Sequence, residues 1–515
     1  MKKVFIWFEN FDGWCGIVNI AFRTVSLPHL QTIEKKLMNR LIEKKAVWLS
    51  VAFLLLFGLT ATNSFGQPVY SKPTAPPAKP LLQPITVQPD GNLSPSPTPL
   101  VKKTGSALPS GAPTTTGSAV KTSIPILRDT AIPGYSGVLV EDLAGNIVVE
   151  SYSDYAFNPA SNVKIATAYA VLKTFGPDFR FQTQLWTDGA YEQETGTIHG
   201  NLYVSGRDPI FNYEHAVAIS NELNRMGIRT IKGDLVVSDN FAMNYSTSAA
   251  RSSASLSAAL DAAKRPAAAS RAWQTYLVNS GKYNQAQTVP SVSFTGAVYV
   301  QPMPSNVKLL FTHESAPMRE IVKVTLCYSN NFLSERLGDM LGGPYAVARI
   351  VQQNTGVLPQ EFYLQTSSGL GINRVTPKAM MKLLRTLRGE LARYKMTFAD
   401  IMPVAGVDKG TLENRFDTDF ATGSVVGKTG TLGNTDSGVS TLAGEITTRT
   451  GKLLFVIFNQ RGSVSRFRSF QNNYVSLIQG QFGGAAQTIY NPVALDVRLA
   501  KSRIVHSNGR ARVNE

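Results

Sequence analysis

The chain is short of the side chains that most often hold metals or carry hydrolytic chemistry. Of 515 residues only two are cysteine, Cys15 and Cys327, and five are histidine. Cys15 precedes an apolar segment that reads as an export signal. A mature chain would then keep one thiol, which cannot close an internal disulfide. No Cys/His cluster has metal-ligand spacing and no His-Glu-x-x-His occurs, which argues against a metal enzyme. No metal or other cofactor is expected. The histidines (His29, His199, His215, His313, His506) have no triad context, and no glycine-flanked serine elbow is present. Charged residues are only 17%, yet Lys and Arg outnumber Asp and Glu by 51 to 35. The balance of +16 favours anionic surroundings such as nucleic acid, anionic lipid or cell-wall polymer. No basic run is interleaved with aromatics, so nucleic acid is set aside.

What is present begins with an export pattern. In KKAVWLSVAFLLLFGLTATNSFG, residues 44–66, Lys44 and Lys45 precede an apolar run to about Ala61, then Ser64 and Gly66. A charged start, a short apolar core and small residues before a cut describe a secretory signal. The run falls short of the roughly 20 apolar residues a spanning helix needs. Residues 1–66 are therefore read as a signal peptide with Gln67 as the mature end, an uncleaved membrane anchor being the alternative. The 37 residues ahead of Met38 are unusual for a signal, and a start at Met38 would leave a short basic n-region. Either way the folded portion is expected in the periplasm or another extracytoplasmic space, with any membrane association through the N-terminal segment. Residues 67–127, rich in Pro, Ser and Thr ("PTAPPAKPLLQP", "SPSPTPL"), cannot bury a core and read as a disordered linker.

A hairpin signal follows, with apolar runs 138–141 and 147–150 around Ala144-Gly145-Asn146. Next comes NPASNVKIATAYAVL, residues 158–172, with Ile165, Ala168, Tyr169 and Leu172 at helical steps. Ser161 falls at the helix start and Lys164 one turn later on the same face. A serine hydroxyl is a weak nucleophile until a base takes its proton. With no histidine to serve, Lys164 qualifies if burial or neighbouring cations depress its pKa. Ser-x-x-Lys is common by chance, so the pair needs company. It has Ser329-Asn330-Asn331 at the head of a second amphipathic stretch, and Lys428-Thr429-Gly430 leading into an alternating strand. Singly these are an ordinary helix N-cap and an ordinary turn. The ordered set is far more specific.

On these strings, and on "FGPDFRFQTQLWTDG", "GNLYVSGRDP", "SSGLGINRVTP" and "MPVAGVDKGTLENRF", residues 130–482 resemble the penicillin-binding, serine-type D-alanyl-D-alanine carboxypeptidases. Within them the chain is similar to the carboxypeptidase/endopeptidase branch typified by penicillin-binding protein 4. The resemblance implies an α/β, transpeptidase-like (serine β-lactamase/DD-peptidase) fold, an antiparallel sheet flanked by helices. It splits the chain into a first segment of the DD-peptidase domain at 128–185, an inserted lobe at 186–309, a second segment of that domain at 310–490 and a basic tail at 491–515. The lobe's Ala/Ser-rich stretch, residues 246–270, reads either as a rim helix or as a mobile segment.

The resemblance also implies roles. Ser161 would attack the D-Ala-D-Ala carbonyl of peptidoglycan stem peptides, with Lys164 as base. Ser329 would relay a proton to the leaving amine, and Asn331 would hold Lys164 and the substrate backbone. Lys428 and Thr429 would bind the terminal carboxylate, with Gly430 lending backbone to the grip. The N–H groups of Ser161 and Thr431 would form an oxyanion hole. β-Lactam antibiotics would be covalent inhibitors. The chain departs from the family at Ile372, where many members place an arginine that grips diaminopimelate, and Asp239 resembles a lobe aspartate that meets the substrate's side-chain amine. Two other readings stay open. One is a serine β-lactamase-like hydrolase, though no Glu-x-x-Leu-Asn is found. The other is a tethered cell-wall-binding module without turnover.

Overall fold

The computed structural model describes residues 120–285 and 289–506, with a short antiparallel strand pair, Trp7–Glu9 against Cys15–Ile17, near the chain start. The export segment at 44–66 and the linker as far as residue 119 lie outside the described residues. Among the described residues no helix is long and apolar enough to cross a membrane.

Folded structure begins before residue 128. Lys121 and Glu150 exchange backbone hydrogen bonds of 2.7 and 2.9 Å, and α1 (Pro125–Asp129) buries Leu127. Val120, Ile124 and Leu127 are too sparse among polar residues and prolines for any period to reveal them. Strands β1 (Tyr135–Asp142) and β2 (Ile147–Ser151) form a hairpin in which the Asp142 carboxylate accepts from the Gly145 and Asn146 amides, both at 2.8 Å. Helix α2 (Val163–Phe175) follows and is buried on every side from Val163 to Leu172. It is a central helix, apolar and buried all round and not along one stripe alone.

The lobe then runs through β3 (Gln182–Thr187), β4 (Leu202–Gly206), α3 (Tyr213–Arg225), β5 (Leu235–Val237), α4 (Ala249–Leu260), α5 (Ala267–Ser280), β6 (Val298–Val300) and β7 (Lys308–Glu314). The chain returns through α6 (Met318–Cys327), α7 (Asn331–Asp339), α8 (Pro377–Arg393), β8 (Val425–Leu432), β9 (Val439–Thr448), β10 (Gly451–Gln460) and α9 (Val464–Gln481). It closes with α10 (Leu495–Leu499) and β11 (Arg503–Val505).

The main sheet is antiparallel in the order β8-β9-β10-β1-β2. Alternate side chains divide between its faces. Leu139, Leu454, Val456 and Phe458 pack with α2 and α8, whereas Val138, Val140, Phe455 and Ile457 pack with α1 and α9. Helices thus cover both faces, which is why even the polar residues of β9 are buried. Fold class and layering are those the sequence implies.

The lobe has its own core and a mixed sheet in the order β6-β5-β4-β3-β7-β11. Its strands start at Gln182 and end at Glu314, a few residues outside 186–309. The Ala/Ser-rich stretch resolves into helices α4 and α5. Ser248 caps α4 by accepting from the Arg251 amide at 3.3 Å, and Leu256, Trp273, Tyr276 and Leu277 supply the buried face. The segment from residue 491 is no simple tail. β11 pairs with β7, Arg498 meets Glu320 at 2.8 Å and Arg503 meets Glu314 at 2.7 Å. A cation-rich stretch reads as solvated when its carboxylate partners lie almost two hundred residues away.

Candidate active site

Ser161 sits in a single 3-10 turn, Ala160–Asn162, between the hairpin and α2. Asn158 builds this turn. Its side-chain oxygen accepts from the Ala160 amide at 3.0 Å, and its amide nitrogen donates to Gly371 O and to Asp436. Ala160 itself has φ +45°, a conformation non-glycine residues rarely adopt and one that must be held by its surroundings. Two glycines do the holding. A Cβ on Gly369 would lie 1.9 Å from Ala160 O, and one on Gly430 would lie 2.1 Å from Thr441 Oγ1 and 2.8 Å from Pro159 O. Thr441 Oγ1 in turn donates to Pro159 O at 2.8 Å. The Ser161 turn is thus wedged between the 366–369 loop and strand β8.

Lys164, one turn into the site, is buried, and its ammonium group meets three neutral acceptors. These are Ser161 Oγ at 3.1 Å, Asn331 Oδ1 at 2.7 Å and Ser368 O at 2.6 Å. Burial pushes its pKa down to about 7, against an opposing pull from Glu335. Desolvation with no carboxylate in contact is what makes an amine able to give up its proton near neutrality.

Ser329 and Asn331 flank the junction of α6 and α7. The side chain that caps α7 is Asn330, which accepts from the Leu333 amide at 3.0 Å. Ser329, at φ +54°, is released from that task, and both it and Asn331 line the cleft. Ser329 Oγ accepts from Lys428 Nζ at 2.9 Å, and Lys428 also donates to Thr429 O at 2.7 Å. Lys428 is wholly buried, and its pKa is pushed well down, first by burial and then by Lys164. Without substrate, the Lys428 amine donates to Ser329 and Thr429, and Lys428 is not among the residues lining the cleft. Its ammonium is committed below the surface, while Thr429 and Thr431, alternate residues of β8, face the cleft. The cleft encloses about 660 Å³, and Arg415 and Arg468 line it together with Ser161, Thr429 and Thr431.

A family model for the D-Ala-D-Ala carboxypeptidase 3 (S13) family matches residues 125–270 and 251–476. The chain belongs to that family. A D-alanyl-D-alanine carboxypeptidase of Actinomadura sp. (strain R39) is 26% identical over 434 residues, covering 65% of this chain and 79% of its own. The D-alanyl-D-alanine carboxypeptidase DacB of Haemophilus influenzae is 24% identical over 414 residues, covering 62% and 84%. Among solved structures, a penicillin G-acylated predatory endopeptidase from Bdellovibrio bacteriovorus matches 70% of this chain and 96% of its own, with TM-score 0.60 and 23% identity. The S13 member is accordingly a serine-type hydrolase.

Two sequence candidates stand apart from the cleft. Asp239 is exposed in the turn after β5 and does not line the cleft. Ile372 is 46% exposed and also outside its lining. Nearby Arg374 is bound bidentately by Asp436, at 3.0 and 2.9 Å. Sequence reasoning also missed three residues. Glu335 accepts from the Ser367 and Ser368 amides at 3.1 and 2.9 Å and so positions the carbonyl that holds Lys164. It lies four residues after Asn331, one helical turn away, and that spacing could have found it. Arg415, which falls inside the string MPVAGVDKGTLENRF without a role attached, and Arg468, which carries no local signal, also line the cleft.

Proposed function

We propose that this chain is an exported, serine-type D-Ala-D-Ala carboxypeptidase, with endopeptidase action on bonds of the same kind, that works on peptidoglycan stem peptides. The observation that carries the reading is the Lys164 amine, poised near pKa 7 and 3.1 Å from the Ser161 hydroxyl. Near neutrality a good fraction of Lys164 is free amine. It takes the Ser161 proton as Oγ bonds to the carbonyl carbon between the terminal D-alanines. The C=O pair shifts onto oxygen, where the Ser161 and Thr431 N–H groups receive it. Collapse breaks the C–N bond, and the proton that Lys164 took passes through Ser329, whose hydroxyl Lys428 holds, to the departing nitrogen, leaving Lys164 a free amine again. Free D-alanine leaves an acyl-Ser161 ester. Water then cleaves the ester, with Lys164 again as base. Asn331 fixes Lys164 and the substrate backbone, and Gly430 keeps strand β8 close to the nucleophile's turn.

A β-lactam offers the same acyl chemistry, and a fold relative is acylated by penicillin G. Residues 44–66 would direct export, and the proline-rich stretch to residue 119 would tether the enzyme away from the membrane. With Arg374 held by Asp436, third residues lacking a free side-chain carboxylate should be tolerated. The test is Ser161→Ala in the purified chain. Labelling by a fluorescent penicillin and release of D-alanine should both vanish while circular dichroism is unchanged. Labelling that persists in the variant excludes Ser161 as nucleophile. Wild type that hydrolyses penicillin rapidly favours the β-lactamase reading instead.

A further inference from the structure

The lobe sheet has a face that neither its core nor the catalytic cleft uses. Leu185 of β3 and Val204 of β4 pack in the lobe core. The alternate residues Gln182 and Gln184, with Ser205 beside Gln184 in register, stand on the opposite face. They line a groove of about 560 Å³ that shares no lining residue with the cleft. Phe179 and Met340, which pack against the domain core, supply its apolar surface. Arg207 and Asn240 complete it from the lobe. The Asn240 amide accepts from Arg207 Nε and Nη2 at 2.7 and 3.0 Å and donates to Ser238 Oγ at 3.1 Å. Arg207 is exposed and has no carboxylate partner among the described residues, so its remaining N–H groups are open to a ligand. The groove's lining holds no Asp or Glu, and Asp339 lines only a small hollow beside it. Side-chain amides, hydroxyls, a guanidinium and an aromatic face, with no carboxylate, suit a ligand rich in hydroxyl and acetamido oxygens and not a cation.

We propose that this groove is a second substrate subsite, which holds the acetamido sugar carrying the stem peptide while the cleft holds the scissile end. The proposal rests on the hydrolase reading above and extends its substrate from peptide to sugar. Helix α7 sets the spacing. Asn331, its first residue, lines the cleft, and Met340, just past its last, lines the groove. At about 1.5 Å of rise per residue the two stand roughly 13 Å apart. About four extended residues cover that distance. A stem peptide places about that length of chain between its terminal D-Ala-D-Ala bond and the sugar on which it is built. Arg207 and Gln184 donate to the sugar's acetamido and hydroxyl oxygens, and Phe179 takes an apolar face of the ring. The consequence is a preference for peptides still attached to glycan over free peptides of the same sequence.

The test measures D-alanine release from a free stem pentapeptide and from the same pentapeptide on its N-acetylglucosaminyl-N-acetylmuramyl disaccharide. Wild type is compared with Arg207→Ala, Arg207→Lys and Gln184→Ala. Wild type should show a KM about tenfold lower on the sugar-bearing substrate, with kcat changed less than about twofold, as expected for binding shared by ground and transition states. Arg207→Ala and Gln184→Ala should each raise KM on that substrate by about three- to tenfold, the scale of one or two hydrogen bonds. Their kcat/KM on the free pentapeptide should move less than about twofold, which also shows that the variants are folded. Arg207→Lys should recover part of the loss. If Arg207→Ala fails to fold, Gln184→Ala carries the comparison. Equal KM values on the two substrates in wild type, or a KM ratio that both alanine variants leave unchanged, overturn the subsite and leave the hydrolase reading intact. A wild type that releases D-alanine from neither substrate and takes no penicillin label overturns both.

Discussion

The catalytic domain and the inserted lobe bury ionisable bases by the same physics and to opposite ends. In the domain, Lys164 and Lys428 are stripped of water and denied carboxylates, so both have depressed pKa values. Each keeps specific neutral partners, and on the proposed reading the free amine of Lys164 is the base. In the lobe, His215 and His313 are also buried with depressed pKa values, their rings 4.9 Å apart. His215 Nε2, both nitrogens of His313 and the hydroxyl of Thr183, which faces His313 across β3 and β7, have no hydrogen-bond partner among the described residues. Here the neutral imidazoles pack against one another, and His215 Nδ1 also accepts from the Asn212 amide at 3.1 Å at the start of α3. The frameworks differ as well. Strands β9 and β10 are ten residues each, whereas the lobe's β5 and β6 have three. Both regions hold non-glycine residues at positive φ, Ala160 and Ser329 in the domain and Asn244 and Tyr245 in the lobe, but only the first two lie at the candidate site.

The sharpest way to break this contrast is to place the same insult in both regions. Gly369 and Gly281 both have left-handed φ, +90° and +68°. Gly281→Ala, which ends α5 with nothing within 4 Å of the added methyl, should cost only about 1 kcal/mol of lobe stability. It should leave kcat/KM alone. Gly369→Ala drives a methyl into Ala160 O and displaces the nucleophile's turn. Misplacement on the scale of 1 Å costs roughly a hundredfold or more in rate. Steady-state kinetics beside thermal melts check both, and equal kinetic effects of the two substitutions would remove the distinction between the regions.

A smaller effect sharpens the domain's side. Glu335→Gln removes two charge-assisted contacts to the 366–369 loop and the one carboxylate that raises the Lys164 pKa. Turnover should fall by about tenfold, in keeping with the few kcal/mol such contacts supply. The acid limb of kcat/KM should move to lower pH, because Lys164 loses the charge that favours its ammonium form. A limb that stays in place, or moves up, separates Glu335 from the base.

What was legible in the chain follows from distance along it. Ser161 with Lys164, Ser329 with Asn331, and Lys428 with Thr429 are each confined to one turn or one strand step, so their spacing announces them. The sheet and its hairpin are legible for the same reason. Arg468 is hidden because it reaches Thr431 from 37 residues away on another element. The burial of Lys428 is hidden because nothing in Lys-Thr-Gly says which end of the lysine meets solvent. The C-terminal strand is hidden because its partners, Glu314 and Glu222, are 189 and 284 residues earlier.

The smallest effect tests the comparison most directly, because both regions answer to the same variable. On the proposed reading Lys164 acts as free amine, so kcat/KM should fall below an apparent pKa of about 7, measured well below the melting temperature. The lobe should answer through stability. Below the ordinary histidine value of 6.5 the unfolded chain protonates His215 and His313 more readily than the fold, whose burial lowers both, His313 the further. That is a depressed folded pKa, whose stability is present at high pH and lost as pH falls. Asp208, buried and raised to about 7, works the other way, since above 3.8 only the folded chain keeps its proton. Two protons favour the unfolded state and one the folded. From 6.5 down toward 4, the lobe should therefore lose up to about 1.4 kcal/mol per pH unit, in the limit of fully separated pKa values. His313→Phe should bring the count to one against one and flatten the dependence of Tm on pH, while the rate limb near 7 stays where it is. Melts that keep their slope in this variant, or a rate limb that moves with it, would show that the two regions do not titrate independently.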